Sequence, residues 1–368
     1  EVCGALSGQL AWCSTLQLGA SSDDSASVSV NYVNSMFKAK NVRSVFPELE
    51  FKAVFSAPVL SWTSEHFSWC RGDFDGKTSE LNVPVFAAVL NLQSVSIIVC
   101  GCAEDEKLLS LCKPKAALSE LAAVKELWSR RVRRLKVISS APYAEYMSGW
   151  AVYQTLACRI LARCSLYQSG GAIGFRDQLQ DAVNMLLVSS RLPRRQILLC
   201  CAHQYAEGDV MHWWHSLPEG ERGVRTRCSD DLLWLPWALC EYVEKTGDAD
   251  FCSRSVYYVN SPELSIYERD RYETPRRADF ADSVFDHAER ALQKCFRRGT
   301  GVHGLLFFGS SDWNDGMDEI DGESVWLSWF FAHTARRFAD LAILLCKPNA
   351  EEFRAMAACV GAAADRAF

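Results

Sequence analysis

The sequence predicts a mixed fold, a β-rich N-terminal part followed by a helical body. Residues 1–110 are rich in Ser, Val and Thr and carry short alternating or β-branched stretches. From Ala116 onward apolar residues recur at helical spacing. The length of 368 residues exceeds one ordinary compact core, so one large domain or two smaller ones are expected.

In the first part, SASVSVNYV, FKAVFSAPVLSW and LQSVSIIVCGC read as strands of an antiparallel sheet or sandwich. ALSELAAVKELWSRRVRRLKVI then reads as a helix, with a basic cluster (Arg130, Arg131, Arg133, Arg134, Lys136) that is either a solvated face or an anion contact. Residues 146–368 read as repeated helices: MSGWAVYQTLACRILARCSLY, RDQLQDAVNMLLVSS, RRQILLCCAHQYA, DDLLWLPWALCEYVEKTG, ADSVFDHAERALQKCFRRG and SVWLSWFFAHTARRFADLAILL. The segments between them hold Trp, His, Asp, Arg and Gly, the residue types that bind and catalyse when a rigid scaffold presents them. The expected boundaries are 1–112 for the β part, 113–140 for a helical linker and 141–368 for the helical body.

Composition narrows the function. Hydrophobic residues at 49% and charged residues at 23% exclude a disordered chain. A net charge of −6 argues against nucleic acid and anionic membranes and suits a neutral sugar. No apolar run reaches membrane-spanning length. Many of the 16 cysteines, among them Cys158, Cys164, Cys200, Cys201 and Cys240, sit in apolar helical runs and read as buried hydrophobes of a reducing compartment. Cys100 and Cys102 have no second ligand pair nearby, so zinc is not expected. The chain begins at Glu1, and Phe368 falls inside a helical pattern, so both ends are expected to be cut from something longer.

Four segments carry chemistry. In YQSGGAIGFRDQLQD, Gly170, Gly171 and Gly174 allow close approach of backbone, and Arg176 with Asp177 opens a helix. That Arg–Asp pair either bonds sugar hydroxyls or caps the helix as a salt bridge. In HQYAEGDVMHWWH, His212 and His215 stand three apart and would suit a metal if helical, but the spacing supplies no third ligand. Trp213 and Trp214 suit sugar faces or a core, with Glu207 and Asp209 adding polar reach. In GVRTRCSDDLLWLPW, Arg225 and Arg227 precede a helix that Asp230 or Asp231 can cap. In GSSDWNDGMDEIDGES, Asp312, Asp315, Asp318 and Asp321 recur every three residues beside Trp313 and Asn314. This run misses the EF-hand register, with Gly316 and Met317 at the fifth and sixth positions, so calcium is not expected. A carboxyl packed against Trp313 would have its pKa raised by desolvation, one route to a general acid at neutral pH.

These four segments, in this order, resemble glycoside hydrolase family ninety-four, the inverting cellobiose and chitobiose phosphorylases, which includes the phosphorylase-like domain of cyclic β-1,2-glucan synthases. GESVWLSWF adds to the match, and WTSEHFSWCRGDFDGK is a looser one. The resemblance implies an N-terminal β-sandwich, a helical linker and an (α/α)6 barrel, incomplete here at both ends. It implies Asp315 as general acid, Trp313 lining the donor subsite, and Arg176 and Asp177 on the donor sugar. Asn314, His212, Trp213, Arg225 and Asp231 join them as expected substrate-binding residues. The expected reaction is inverting phosphorolysis of a β-glucoside or β-oligoglucan, or its reversal, with inorganic phosphate as co-substrate and no metal or cofactor. The alternatives are an inverting hydrolase, or a module of a cyclic glucan synthase that binds sugar and sets chain length without turnover. A homodimer is a possible assembly, and the expected location is cytoplasmic, at the cytoplasmic face of the membrane if the chain is part of such a synthase. The family draws phosphate contacts from a second half of its barrel, expected beyond Phe368, so residues 1–368 alone are expected to be inactive and poorly soluble. Cys228 and Ser311 are unusual beside the family motifs.

Overall fold

A computed structural model describes residues 8–16, 28–42, 48–76, 84–92, 97–101, 104–162, 171–217, 220–317 and 322–368. The chain divides into two units, Glu1–Ser129 and Arg130–Phe368.

Alternation of apolar and polar side chains shapes the first unit. In strand β2 (Val28–Val33), Val28 and Val30 are buried while Ser29 and Asn31 face solvent. Asn34 and Ser35 both take positive φ, the two-residue turn that matches strand twist, and return the chain into β3 (Met36–Asn41). Strands β4 (Glu50–Phe55) and β7 (Ile97–Gly101) complete an antiparallel sheet of order β2-β3-β4-β7. A second antiparallel sheet has β6 (Pro84–Leu92) between β1 (Gly8–Thr15) and β5 (Val59–Glu65). The two sheets share one core. Phe37 stacks on Phe86 at 4.9 Å across it, and Trp12 meets Phe55 edge-on at 5.3 Å. Helix α1 (His66–Arg71) follows β5, and α2 (Asp105–Leu111) follows β7. The expected strands thus sit where the alternation put them, apart from residues 25–27, 93–96 and 102, which lie outside the described residues. Helix α3 (Pro114–Val132) carries the division between the units.

In the second unit, α4 (Pro142–Gln154) continues into a π-helical turn, Thr155–Leu161. Beyond it come α5 (Phe175–Asn184), α6 (Arg191–Cys201), α7 (Trp234–Thr246), α8 (Val284–Arg297), α9 (Val325–Leu344) and α10 (Ala350–Ala367). One apolar cluster takes Phe175 and Leu179 of α5, Ile197 and Cys200 of α6, Leu235 and Leu239 of α7, Phe285 and Leu292 of α8, Phe331 and Phe338 of α9, and Phe353 of α10. Burying these faces is the main source of the unit's stability. The buried cysteines behave as the small hydrophobes that their helical runs suggest.

The connections depart from the expected loops. A four-stranded antiparallel sheet of order β12-β10-β9-β8 joins β8 (Ile173–Gly174), β9 (Met211–Leu217), β10 (Gly220–Thr226) and β12 (Asp270–Glu273). Strands β11 (Ser255–Asn260) and β13 (Arg276–Ser283) pair separately. Met211–Leu217 is a strand with a register shift at His212, so that Met211 and Trp214 are buried, and Trp214 is core while its neighbour Trp213 is partly exposed. No helix among the described residues is long and apolar enough to cross a membrane.

Candidate active site

The site grows from the start of α5. Gly174, unencumbered by a Cβ, precedes the helix and pairs with Trp213 of β9. Arg176, in the first turn, is buried inward at 5% exposure. Its Nη1 donates to Asp230 Oδ1 (3.0 Å) and to the Asp312 carbonyl (2.9 Å). Its Nη2 pairs with Asp315 Oδ1 at 2.6 Å. One guanidinium therefore joins three segments far apart in sequence, with five donors fixed in a plane to do so.

The loop bearing Asp315 is fastened from behind. Gly309 has φ +74°, and a Cβ there would run into the Arg227 carbonyl. Ser310 donates its N–H to that carbonyl (3.2 Å), and Ser229 donates its N–H (2.9 Å) and Oγ (3.0 Å) to Ser311 O. Asp312 is buried. It accepts the Asn314 N–H on Oδ1 (3.0 Å) and the Ser324 hydroxyl on Oδ2 (3.0 Å). Ser324 in turn accepts the Leu327 N–H and caps α9. Asn314 accepts the Gly316 N–H at 3.1 Å, tightening the tip. The result is a rigid stalk with an exposed tip, Trp313 through Met317.

Asp315 does not sit in an apolar pocket. Its side chain is 60% exposed and its partner is Arg176, so the desolvation against Trp313 expected from the sequence is absent. Trp313 is itself 57% exposed. Asp318 and Asp321 lie outside the described residues.

Behind Arg176 lies a buried charge network. Asp230 and Asp231 precede α7 but cap nothing: neither carboxylate accepts a backbone N–H at the start of that helix. The capping expectation fails because both acids turn inward. Asp230 accepts Arg176 Nη1, Trp234 Nε1 (2.8 Å) and the Cys228 thiol (3.1 Å). Asp231 bonds His212 Nδ1 at 2.6 Å and lies 3.9 Å from Arg176. Burial and neighbouring Asp231 push Asp230 up, while Asp231, against its own burial, is drawn down by His212 and Arg176. Burial opposes the charge on His212, but Asp231 more than compensates and raises the imidazole to about 9.

The remaining expected residues separate. His212 and His215 lie on a strand rather than a helix, so the helical metal arrangement does not exist. Trp213 turns away from the His212 side toward His215 (5.5 Å) and Tyr272 (5.6 Å). Trp214 is core, stacked on His203 at 3.8 Å. Asp177 is half exposed and faces Arg159 at 3.7 Å, apart from Arg176. Gly170 lies outside the described residues. Arg225 is fully buried. It donates to Asp209 (2.9 Å), Glu207 (3.2 Å) and the Ser261 and Pro262 carbonyls (both 3.1 Å), and its guanidinium stacks over Tyr205. Its donors bond within the protein and tie it to the segment after Asn260, where the sequence suggests a sugar contact.

His212, Cys228 and Asp231 bring ligand-type atoms within 4.8 Å of one another. Arg176 already lies against this set, 3.7 Å from Cys228 Sγ, and burial holds the thiol well above its ordinary pKa. A metal would have to displace a guanidinium and deprotonate that thiol, and the donor set does not fit one.

Sequence reasoning missed Asp230, Cys228 and Asp312 as members of the network. The signal was present in the Ser-Asp-Asp run and in the unusual Cys228, but capping accounted for the acids equally well.

Comparison with known proteins shows the family. Residues 127–366 match the family described as Glycosyl hydrolase 94 superfamily, catalytic domain. The chain is 41% identical over 223 residues to the cyclic β-(1,2)-glucan synthase NdvB of Rhizobium meliloti, covering 59% of this chain and 8% of that protein. It is 26% identical over 255 residues to an N,N′-diacetylchitobiose phosphorylase of Vibrio proteolyticus, covering 61% of this chain and 29% of the relative. A solabiose phosphorylase of Paenibacillus borealis is 28% identical over 198 residues, covering 52% and 22%. The chain thus spans less than a third of the length of each of these relatives.

Proposed function

The chain belongs to the Glycosyl hydrolase 94 superfamily, and from that premise we propose that its second unit contributes the acid and part of the donor-sugar site of an inverting glycoside phosphorylase. The observation that carries the reading is the 2.6 Å pair between Arg176 and Asp315, which brings the expected donor-binding residue onto the expected acid. In this reading the first unit is the family's β-sandwich and the second is the early part of an (α/α)6 barrel.

Protonated Asp315 donates to the glycosidic oxygen as the C–O bond breaks, and the leaving sugar departs with that proton. A phosphate oxygen forms the new bond from the opposite face of the oxocarbenium-like centre, giving a sugar 1-phosphate of inverted configuration. Phosphate is already anionic, so no second carboxylate is needed to activate it. Trp313, exposed on a rigid stalk, offers a face to the sugar ring, and Asn314 shapes the tip that carries the acid. His212 acts through Asp231 on the charge around Arg176. No metal or organic cofactor enters the reaction. The substrate class is a β-linked glucoside or oligosaccharide, and the location is cytoplasmic.

A second reading follows from the 41% identity to a cyclic glucan synthase: the same site binds glucan and sets its length without turnover. The test expresses the whole reading frame and supplies β-linked gluco-oligosaccharides with and without inorganic phosphate. A sugar 1-phosphate formed only with phosphate supports the phosphorylase. Free sugar released without phosphate supports a hydrolase, and binding without either product supports the synthase module.

A further inference from the structure

An acid that rests on a guanidinium poses a problem. Arg176 favours the charged form of any carboxyl 2.6 Å away, yet a general acid must hold a proton before it can give one. Asp230 meets the same guanidinium from its buried side. We propose that Asp230 is a positioning residue for Asp315, acting through Arg176: it fixes the guanidinium from behind and takes up enough of its charge to leave Asp315 able to carry a proton.

Three observations carry this. First, Asp230 is fully buried and bonds the nitrogen of Arg176 that does not hold Asp315, so the two carboxylates grip opposite ends of one planar group. Second, Asp230 is itself immobilised, with the Trp234 indole N–H on Oδ2 (2.8 Å) and the Cys228 thiol on Oδ1 (3.1 Å). Third, it is not needed as a helix cap, the bland role for an acid at that place.

The groups facing it are known from each neighbouring element. Arg176 comes from α5, Asp231 and Trp234 from its own turn, and Cys228 from the preceding residues. Cys295 of α8 feels its charge. His212 of β9 and Arg298 act on the adjacent Asp231. Burial and Asp231 push Asp230 up to about 6, so its negative charge opposite Arg176 is present above that pH and lost below it.

The inference rests on the reading of Asp315 as the acid. The test is the pH dependence of kcat/KM for Asp230→Asn in protein from the whole reading frame. Asn keeps the shape and removes the charge, so Arg176 holds Asp315 ionised more firmly. The alkaline limb should move to lower pH by about half to one unit, the scale expected for one charge removed a guanidinium away from a solvent-exposed partner. A β-glucosyl fluoride, whose leaving group needs no proton, provides the second readout. The deficit on the disaccharide should exceed the deficit on the fluoride by at least about threefold. An unshifted limb, or equal deficits on both substrates, overturns the inference and makes Asp230 merely structural. If Asp230→Asn fails to fold, Trp234→Phe carries the test. Withholding one donor from Asp230 should shift the limb in the same direction by less, and no shift there overturns the proposal equally. Failure of the underlying reading looks different, because Asp315→Asn would then keep full activity on the disaccharide.

Discussion

Replacing Arg225 by Met separates a loop anchor from a substrate ligand. The side chain is fully buried, with Asp209, Glu207 and two carbonyls of the segment after Asn260 as its partners. Removing one partner of a buried ion pair costs roughly 3–5 kcal/mol, because the other charge stays behind. Here Asp209 keeps Lys294 at 3.3 Å and Arg298 at 3.7 Å, which places the loss near the lower end, about 3 kcal/mol. For a unit of this size that is a fall in Tm of roughly 6–12 °C. The loss of anchoring should also open the 261–268 segment, where Arg227 holds the carbonyls of Leu264, Ser265 and Glu268 from the same side. The assay is thermal unfolding with limited proteolysis mapped to that segment. A variant with unchanged Tm and protease pattern but a raised KM for sugar would refute the anchoring argument and return Arg225 to the substrate.

Three further outcomes are expected. His212, raised to about 9 because Asp231 outweighs burial, contributes stability that is complete below the ordinary imidazole range near 6.5 and is lost as pH rises through about 9. Denaturant midpoints should therefore fall across that window in the wild type and stay flatter in Asp231→Asn, and equal slopes would count against the pair. Trp313→Ala should raise the KM for sugar about fivefold, equivalent to roughly 1 kcal/mol of stacking, with unchanged Tm because the ring is 57% exposed; a lowered Tm would make Trp313 structural. Prolonged chelation should leave turnover intact, and a loss restored by one divalent ion would show that His212, Cys228 and Asp231 take a metal after all.

Periodicity and β-branched runs made the long helices and the N-terminal strands legible, most plainly in β2, where buried and exposed residues alternate. It failed at residues 211–226, where a Trp pair, two His and several Arg suggested a loop rich in ligands. Those residues form β9 and β10, where His212 bonds Asp231 and Trp213 packs toward His215 and Tyr272. The same limit applies to charge. Sequence showed Arg176, the two acids before α7 and Asp315 as separate signals, but not that one guanidinium ties them together, because that depends on packing between α5, the turn before α7 and the loop before α9. Arg225 is the converse case. An Arg flanked by site residues looks like a ligand, and only burial reveals that its hydrogen bonds are already made.

The central claim is that Asp315 gives the proton. In protein from the whole reading frame, Asp315→Asn should lower phosphate-dependent cleavage of an unactivated β-disaccharide by about 10²–10⁴-fold while the melting temperature stays within a few degrees, since the side chain is largely exposed on an independently fastened stalk. The measurement is the ratio of that activity to activity on a β-glucosyl fluoride. The account predicts that the variant spares the fluoride far more than the disaccharide. Near wild-type cleavage of the disaccharide, or equal loss on both, would show that the proton comes from another group.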